Sequence, residues 1–311
     1  MNRYLSTFLM LTIVLFLCAG QAAAQSGTEY PNGAEGIKAG SIPPPALYLR
    51  YYNYFYGTST LKDPNGNPVN AGLDVFAYAM APRLIWVTKA KVLGGDYFND
   101  IVLPFIYQDF KVGHGSSVTQ ANHFYLGDIT LEPVGIAWHG PHWDQAIALA
   151  VYLPTGKYST TQPGYPGKGY YTGQFTYGVT YYLDNGKTWS IAYLPRYEVH
   201  GTQRGHDVKL GDDFHHEFSI AKAAPEDRRV GPFQAFAVGM VGYTLWQVTD
   251  AQGKDVIWDK SVHDRVFALG PEIRFAVPKM KVGVEFRTNF EFAAVNRPQG
   301  IAGVFNFTRA F

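Results

Sequence analysis

Val282-Gly283-Val284-Glu285-Phe286-Arg287-Thr288-Asn289-Phe290-Glu291-Phe292 alternates without a slip: Val282, Val284, Phe286, Thr288, Phe290 and Phe292 share one parity, and Gly283, Glu285, Arg287, Asn289 and Glu291 the other. A period of two marks a β-strand with two unlike faces. A soluble sandwich turns the oily face inward and its charges to water, whereas a transmembrane barrel turns the oily face to lipid and its charges to the lumen. Alternation alone fits both, so the rest of the chain decides.

Outward from this stretch the same rhythm recurs in segments of about ten residues, beginning with Ala46 to Gly57 and ending with Ile301 to Phe311. The segments are joined alternately by tight connections and by longer polar ones, the latter at Thr58 to Gly72, His114 to His123, Thr155 to Tyr170, Gly201 to Asp213, Val248 to Ser261 and Ala293 to Gly300. Short turns on one side and long loops on the other characterise outer-membrane barrels. The expected fold is therefore all-β: a transmembrane antiparallel up-and-down β-barrel of about twelve strands, with ten to fourteen allowed, short periplasmic turns and longer outer loops. An even count puts both termini on the periplasmic side. Asp184-Asn185-Gly186-Lys187 and Pro278-Lys279-Met280 carry the chemistry of tight turns.

Aromatic clusters at Tyr51-Tyr52, Tyr54-Phe55-Tyr56, Tyr170-Tyr171 and Tyr181-Tyr182 lie toward strand ends, where they suit a girdle at the lipid–water boundary. The last strand carries Gly303, Phe305, Phe307 and Phe311 on one face, resembling the C-terminal signal read by barrel-assembly machinery. Arg309 interrupts that face, and its guanidinium would have to snorkel to the interface.

The chain begins with Arg3, an apolar run from Leu5 to Leu17, and Ala22-Ala23-Ala24, the pattern of an export signal cleaved near Ala24. The run is shorter than the ~20 residues of a membrane-spanning helix. The single cysteine, Cys18, falls within that signal, so a processed chain offers neither disulfides nor thiolate ligands. Loss of Arg3 brings the 26 basic residues level with the 25 acidic ones, which gives no electrostatic pull on nucleic acid. The expected organisation is a signal peptide over 1–24, a Gly/Pro-rich periplasmic segment over 25–45, and an outer-membrane barrel over 46–311. Segment 25–45 lacks strand periodicity and reads as a periplasmic tail, or as a chain that enters the barrel from that side.

The expected inward face contains Arg196, Glu198, Glu217, Glu272, Arg274, Glu285, Arg287 and Glu291, charges placed to pair in the lumen. Side chains fill small barrels, and wide porins leave an aqueous channel; about twelve strands lie between, compatible with a narrow pore or a plugged barrel. His139-Gly140-Pro141-His142 and His215-His216-Glu217 suggest metal ligands. However, adjacent strand residues face opposite sides, and the first group reads as a turn anchored by Trp138 and Trp143, so no metal and no cofactor is expected. No Gly-x-Ser-x-Gly elbow occurs, and no catalytic residue is assigned, although a surface hydrolase would be recognised by geometry rather than sequence.

The segment Gly33-Ala34-Glu35-Gly36-Ile37-Lys38-Ala39-Gly40-Ser41-Ile42-Pro43-Pro44-Pro45, followed by Tyr48, Tyr52 and Tyr54, resembles the start of the outer-membrane family named for the meta-pathway of phenol degradation. Gly36, Gly40, Pro43, Pro44, Pro45 and Tyr48 carry the likeness, and Ala46 stands where that pattern has Gly. The resemblance implies a porin-like barrel or transporter linked to aromatic-compound catabolism, with outer-membrane lipid and a small-molecule solute as its partners. The alternative is a non-transport barrel, either a surface hydrolase or a scaffold.

Overall fold

The computed structural model describes residues 27–225, 229–230 and 233–311. The expected export signal over 1–24 lies outside the described residues. Twelve long strands follow one another: β1 Ala46–Lys62, β2 Asp74–Val92, β3 in two pieces Gly95–Val102 and Phe105–Val112, β4 in two pieces Thr119–Leu126 and Ile129–His139, β5 Trp143–Leu153, β6 Thr172–Tyr182, β7 Trp189–His200, β8 Asp213–Ala223, β9 Phe233–Gln247, β10 Arg265–Val277, β11 Val282–Val295 and β12 Pro298–Ala310. Each pairs antiparallel with the next, and β12 returns to β1 from Tyr48↔Ala310 to Leu61↔Pro298, closing the barrel. Closure leaves the long strands no free edge, the condition for strands to cross a bilayer.

The alternation that defines β11 sets its two surfaces. Phe286, Phe290 and Phe292 are exposed, whereas Glu285, Arg287 and Asn289 are buried. Across the barrel the outer surface presents Leu84, Phe175, Ile191, Phe218, Met240 and Ile301. Exposed apolar area of this extent would be a liability in water but is the contact surface for lipid. Aromatic stacks reinforce it: Phe286 lies 4.6 Å from Phe305 and Tyr51 lies 4.9 Å from Phe307, centroid to centroid. Trp86, Trp143 and Trp189 face outward near the short-turn end, where indole suits the interface.

The girdle expectation needs correction, because neighbouring strand residues face opposite sides. Tyr171 and Tyr181 point outward, but Tyr52, Tyr170 and Tyr182 are buried inside. Two loop expectations also change. Between β11 and β12 only Asn296 and Arg297 intervene, not the stretch Ala293 to Gly300. Asn296 adopts φ 55°, which permits the tight reversal, and Arg297 pairs with Asp264 at 3.2 Å. Likewise β4 begins at Thr119, so residues 119–123 of the expected loop His114 to His123 are strand. The long connections otherwise collect at one end and the shorter ones at the other, where only 224–232 between β8 and β9 exceeds six residues.

Strands β3 and β4 are both interrupted, after Val102 and Leu126 respectively. Pro104 has no amide to donate to the ladder, and Gly127 donates its amide to the Pro104 carbonyl at 2.8 Å, bridging the two breaks.

Candidate functional site

Twelve strands enclose a lumen, and it is not empty: residues 27–45 run through it. At the long-loop end the Tyr170 hydroxyl donates to the Gly27 carbonyl at 2.6 Å, and at the short-turn end the Tyr48 hydroxyl donates to the Pro44 carbonyl at 2.6 Å. The expectation of a periplasmic tail over 25–45 is corrected for residues 27–45, which lie within the barrel. The segment has no helix or strand of its own, so its buried amides and carbonyls need partners elsewhere.

The wall charges supply them. Glu198 accepts the amides of Glu29 and Tyr30, both at 3.0 Å. Glu217 accepts the Tyr30 hydroxyl at 2.8 Å and the Glu35 amide at 3.3 Å, while its partner Arg196 donates to it at 2.7 Å. Glu272 accepts the Ile37 amide at 3.1 Å. Arg274 donates to the Ile37 carbonyl at 2.7 Å, and Arg287 to those of Gly33 and Ala34 at 3.0 and 2.6 Å. These charge-assisted bonds recognise backbone rather than side chains. Glycine is required where that backbone meets the wall: a Cβ on Gly36 would lie 1.7 Å from a Glu272 oxygen, and one on Gly40 would lie 2.4 Å from Val179 backbone atoms. The likeness-bearing glycines of the segment are thus positions of closest approach.

Of the remaining expected lumen residues, Glu285 meets Arg50, Arg287 and Arg274 at 2.7, 2.9 and 3.5 Å. Glu291 receives the hydroxyls of Tyr56 and Tyr243, both at 2.8 Å. The ion pairs follow ladder neighbours, such as Glu272↔Arg287 and Arg274↔Glu285, so they run along the wall rather than across the lumen. Pro43 lies beside the short-turn cavity described below, and Pro45 leads into β1. Gly303, Phe305 and Phe307 lie on the outer face with Phe55 and Phe286 as neighbours; Phe311 is exposed, and the Arg309 guanidinium lies 5.2 Å over its ring.

Sequence reasoning missed a second charged group on the other wall. Arg83 reaches Asp100 at 2.5 Å, Glu132 at 3.2 Å and Glu35 of the central segment at 3.4 Å, and Arg50 reaches Glu35 at 3.0 Å. Glu35 is thereby the hub that ties the segment to β1 and β2. The Tyr52 hydroxyl also donates to the Glu35 carboxylate, at 2.5 Å. Parity could have found Arg50, which shares a face with Tyr48 and Tyr52.

Beside the segment lie cavities of about 270 Å³ toward the long loops and about 310 Å³ toward the short turns. Tyr54, Ala79, Ala150 and Tyr152 line the first; Ile42, Tyr48, Phe98 and Leu194 line the second. Both reach Glu35, Arg83, Glu132 and Arg196, so the two spaces abut at a charged waist.

The histidines of the sequence motifs separate. His215 is buried and points into the lumen, whereas His216 bonds the outer-face Tyr193. His139 pairs with Asp144 at 3.0 Å, and Ser41 donates to the same carboxylate at 2.8 Å. The hydroxyl therefore points at the acid and not at the imidazole, which is not the order of a nucleophile relay.

A closed barrel with a lipid-facing apolar surface, a charged lumen and a threaded segment defines an outer-membrane channel fold. The chain belongs to the family described as "Putative MetA-pathway of phenol degradation", whose model matches residues 58–307. The fold is similar to that of an outer membrane channel from Pseudomonas putida F1, with a TM-score of 0.69 at 14% identity, covering 91% of this chain and 100% of that one. The β domain of the Bordetella autotransporter Brka aligns with a TM-score of 0.49 at 12% identity, covering 86% and 99% of the two chains. The transport unit of the autotransporter AIDA-I from Escherichia coli aligns with a TM-score of 0.48 at 11% identity, covering 94% and 97%. No curated protein sequence matches this chain.

Proposed function

We propose that the protein is a narrow outer-membrane channel for small solutes, aromatic and hydrophobic ones included, serving the catabolism of aromatic compounds. The carrying observation is the pair of abutting cavities on either side of the waist formed by Glu35, Arg83, Glu132 and Arg196. Each has the volume of a small-molecule site rather than of a wide aqueous pore. Tyrosine rings beside alanines in the upper cavity offer flat apolar surface with polar tips, which suits a ring bearing one polar group. With the short turns periplasmic, a solute enters among the long loops, passes the waist and leaves beside Ile42 and Pro43.

The alternative is a sealed scaffold, favoured by the many bonds that hold residues 27–45 in place. Flux through the purified barrel in liposomes separates the two, comparing phenol- and benzoate-type solutes with sugars of similar size. Preferential, saturable passage of the aromatic solutes supports the proposal. Equal passage of all solutes indicates a general pore, and no passage through a folded barrel indicates the scaffold.

A further inference from the structure

Near the long-loop end, β7 and β8 place four ionisable side chains in one buried patch. Glu198 is the ladder partner of Asp213, and His200 and His215 follow each at a spacing of two, so all four face the lumen. One donor atom from each of Glu198, His200 and Asp213 lies within 4.8 Å of the others. Exposure is 0% for Glu198 and His215, 1% for Asp213 and 2% for His200.

We infer that Glu198, His200 and Asp213, with His215 beside them, form a binding site for a divalent transition-metal ion of the zinc or cobalt type. Two carboxylates this deeply buried need positive charge nearby. The neighbouring acids have guanidinium partners, Glu217 with Arg196 and Asp264 with Arg297. Glu198 and Asp213 instead face imidazoles, His215 Nε2 at 3.2 Å and His200 Nε2 at 3.2 Å. A divalent ion balances two carboxylates, and mixed imidazole and carboxylate ligands suit zinc and its neighbours.

The outer shell supports the same reading. A metal-bound imidazole is oriented through its other ring nitrogen. His200 Nδ1 lies 2.9 Å from Thr172 Oγ1, and His215 Nδ1 lies 2.7 Å from Asn32 Oδ1. Both rings are thus fixed from behind with Nε2 turned toward the carboxylates. Residues 28–30 cover the patch through Glu198, so an ion reaches it when they swing away from that carboxylate.

The test uses the full tag-free chain, folded in detergent and stripped with chelator, then titrated with Co²⁺ and with Zn²⁺. The wild type is expected to bind one ion per chain, with the ligand-field bands of a low-coordinate site. His200→Gln and Asp213→Asn are each expected to weaken binding at least about tenfold, and a His139→Gln/His142→Gln variant to leave it unchanged. No saturable binding, or binding lost only in that last variant, overturns the inference. Zinc-edge absorption of the wild type needs no variant: imidazole scattering at about 2.0 Å supports the site, and an oxygen-only shell overturns it.

Discussion

Arg287 holds the chain at Ala34: its Nη1 donates to the Ala34 carbonyl at 2.6 Å while its Nε lies 3.0 Å from the Glu272 carboxylate. One wall side chain therefore pairs with a lumen acid and holds the threaded backbone. Arg287→Met leaves Glu272 and two carbonyls short of a buried partner, a change that costs about 3–5 kcal/mol when one member of a buried pair is removed. The expected outcome is a lower unfolding temperature by gel heat-shift and a larger single-channel conductance.

Gly40→Ala tests the segment without touching a charge. The added methyl would sit 2.4 Å from the Val179 backbone, which cannot retreat without breaking the β6 ladder. The segment rather than the strand is expected to yield. Circular dichroism should show an intact barrel, while liposome flux of sugars rises above that of the wild type.

Arg83 is one of the two positive members of the waist, with Asp100 at 2.5 Å and Glu132 at 3.2 Å. Arg83→Gln leaves those acids and Glu35 facing the path with less compensation. Reversal potentials in a salt gradient are expected to shift toward cation selectivity, and unchanged selectivity would remove the waist from the path.

The barrel was legible because alternation is a local property. Glu285, Arg287 and Phe286 reveal their faces from their neighbours in sequence alone, and closure needs only an even run of such strands. The Asn296–Arg297 reversal was not, since a polar pair beside Pro298 reads as loop until Arg297 is seen against Asp264. The threaded segment was hidden for a deeper reason: its bonds use backbone amides and carbonyls, which leave no periodicity in residue type. Only the spacing of Gly33, Gly36 and Gly40 marks where the chain must pass close to a wall. The Arg83 group joins residues 35, 83, 100 and 132, whose meeting depends on the interrupted strands and the threaded segment together.

In the proposed channel, solutes cross through the two cavities alongside a docked segment. The most direct measurement is liposome flux of a phenol-type solute and a sugar of similar size, through the wild type and through a folded variant lacking residues 27–44. The wild type is expected to pass the aromatic solute and retard the sugar, and the shortened variant to pass both. A wild type that passes neither, or a shortened variant with unchanged discrimination, would contradict that expectation.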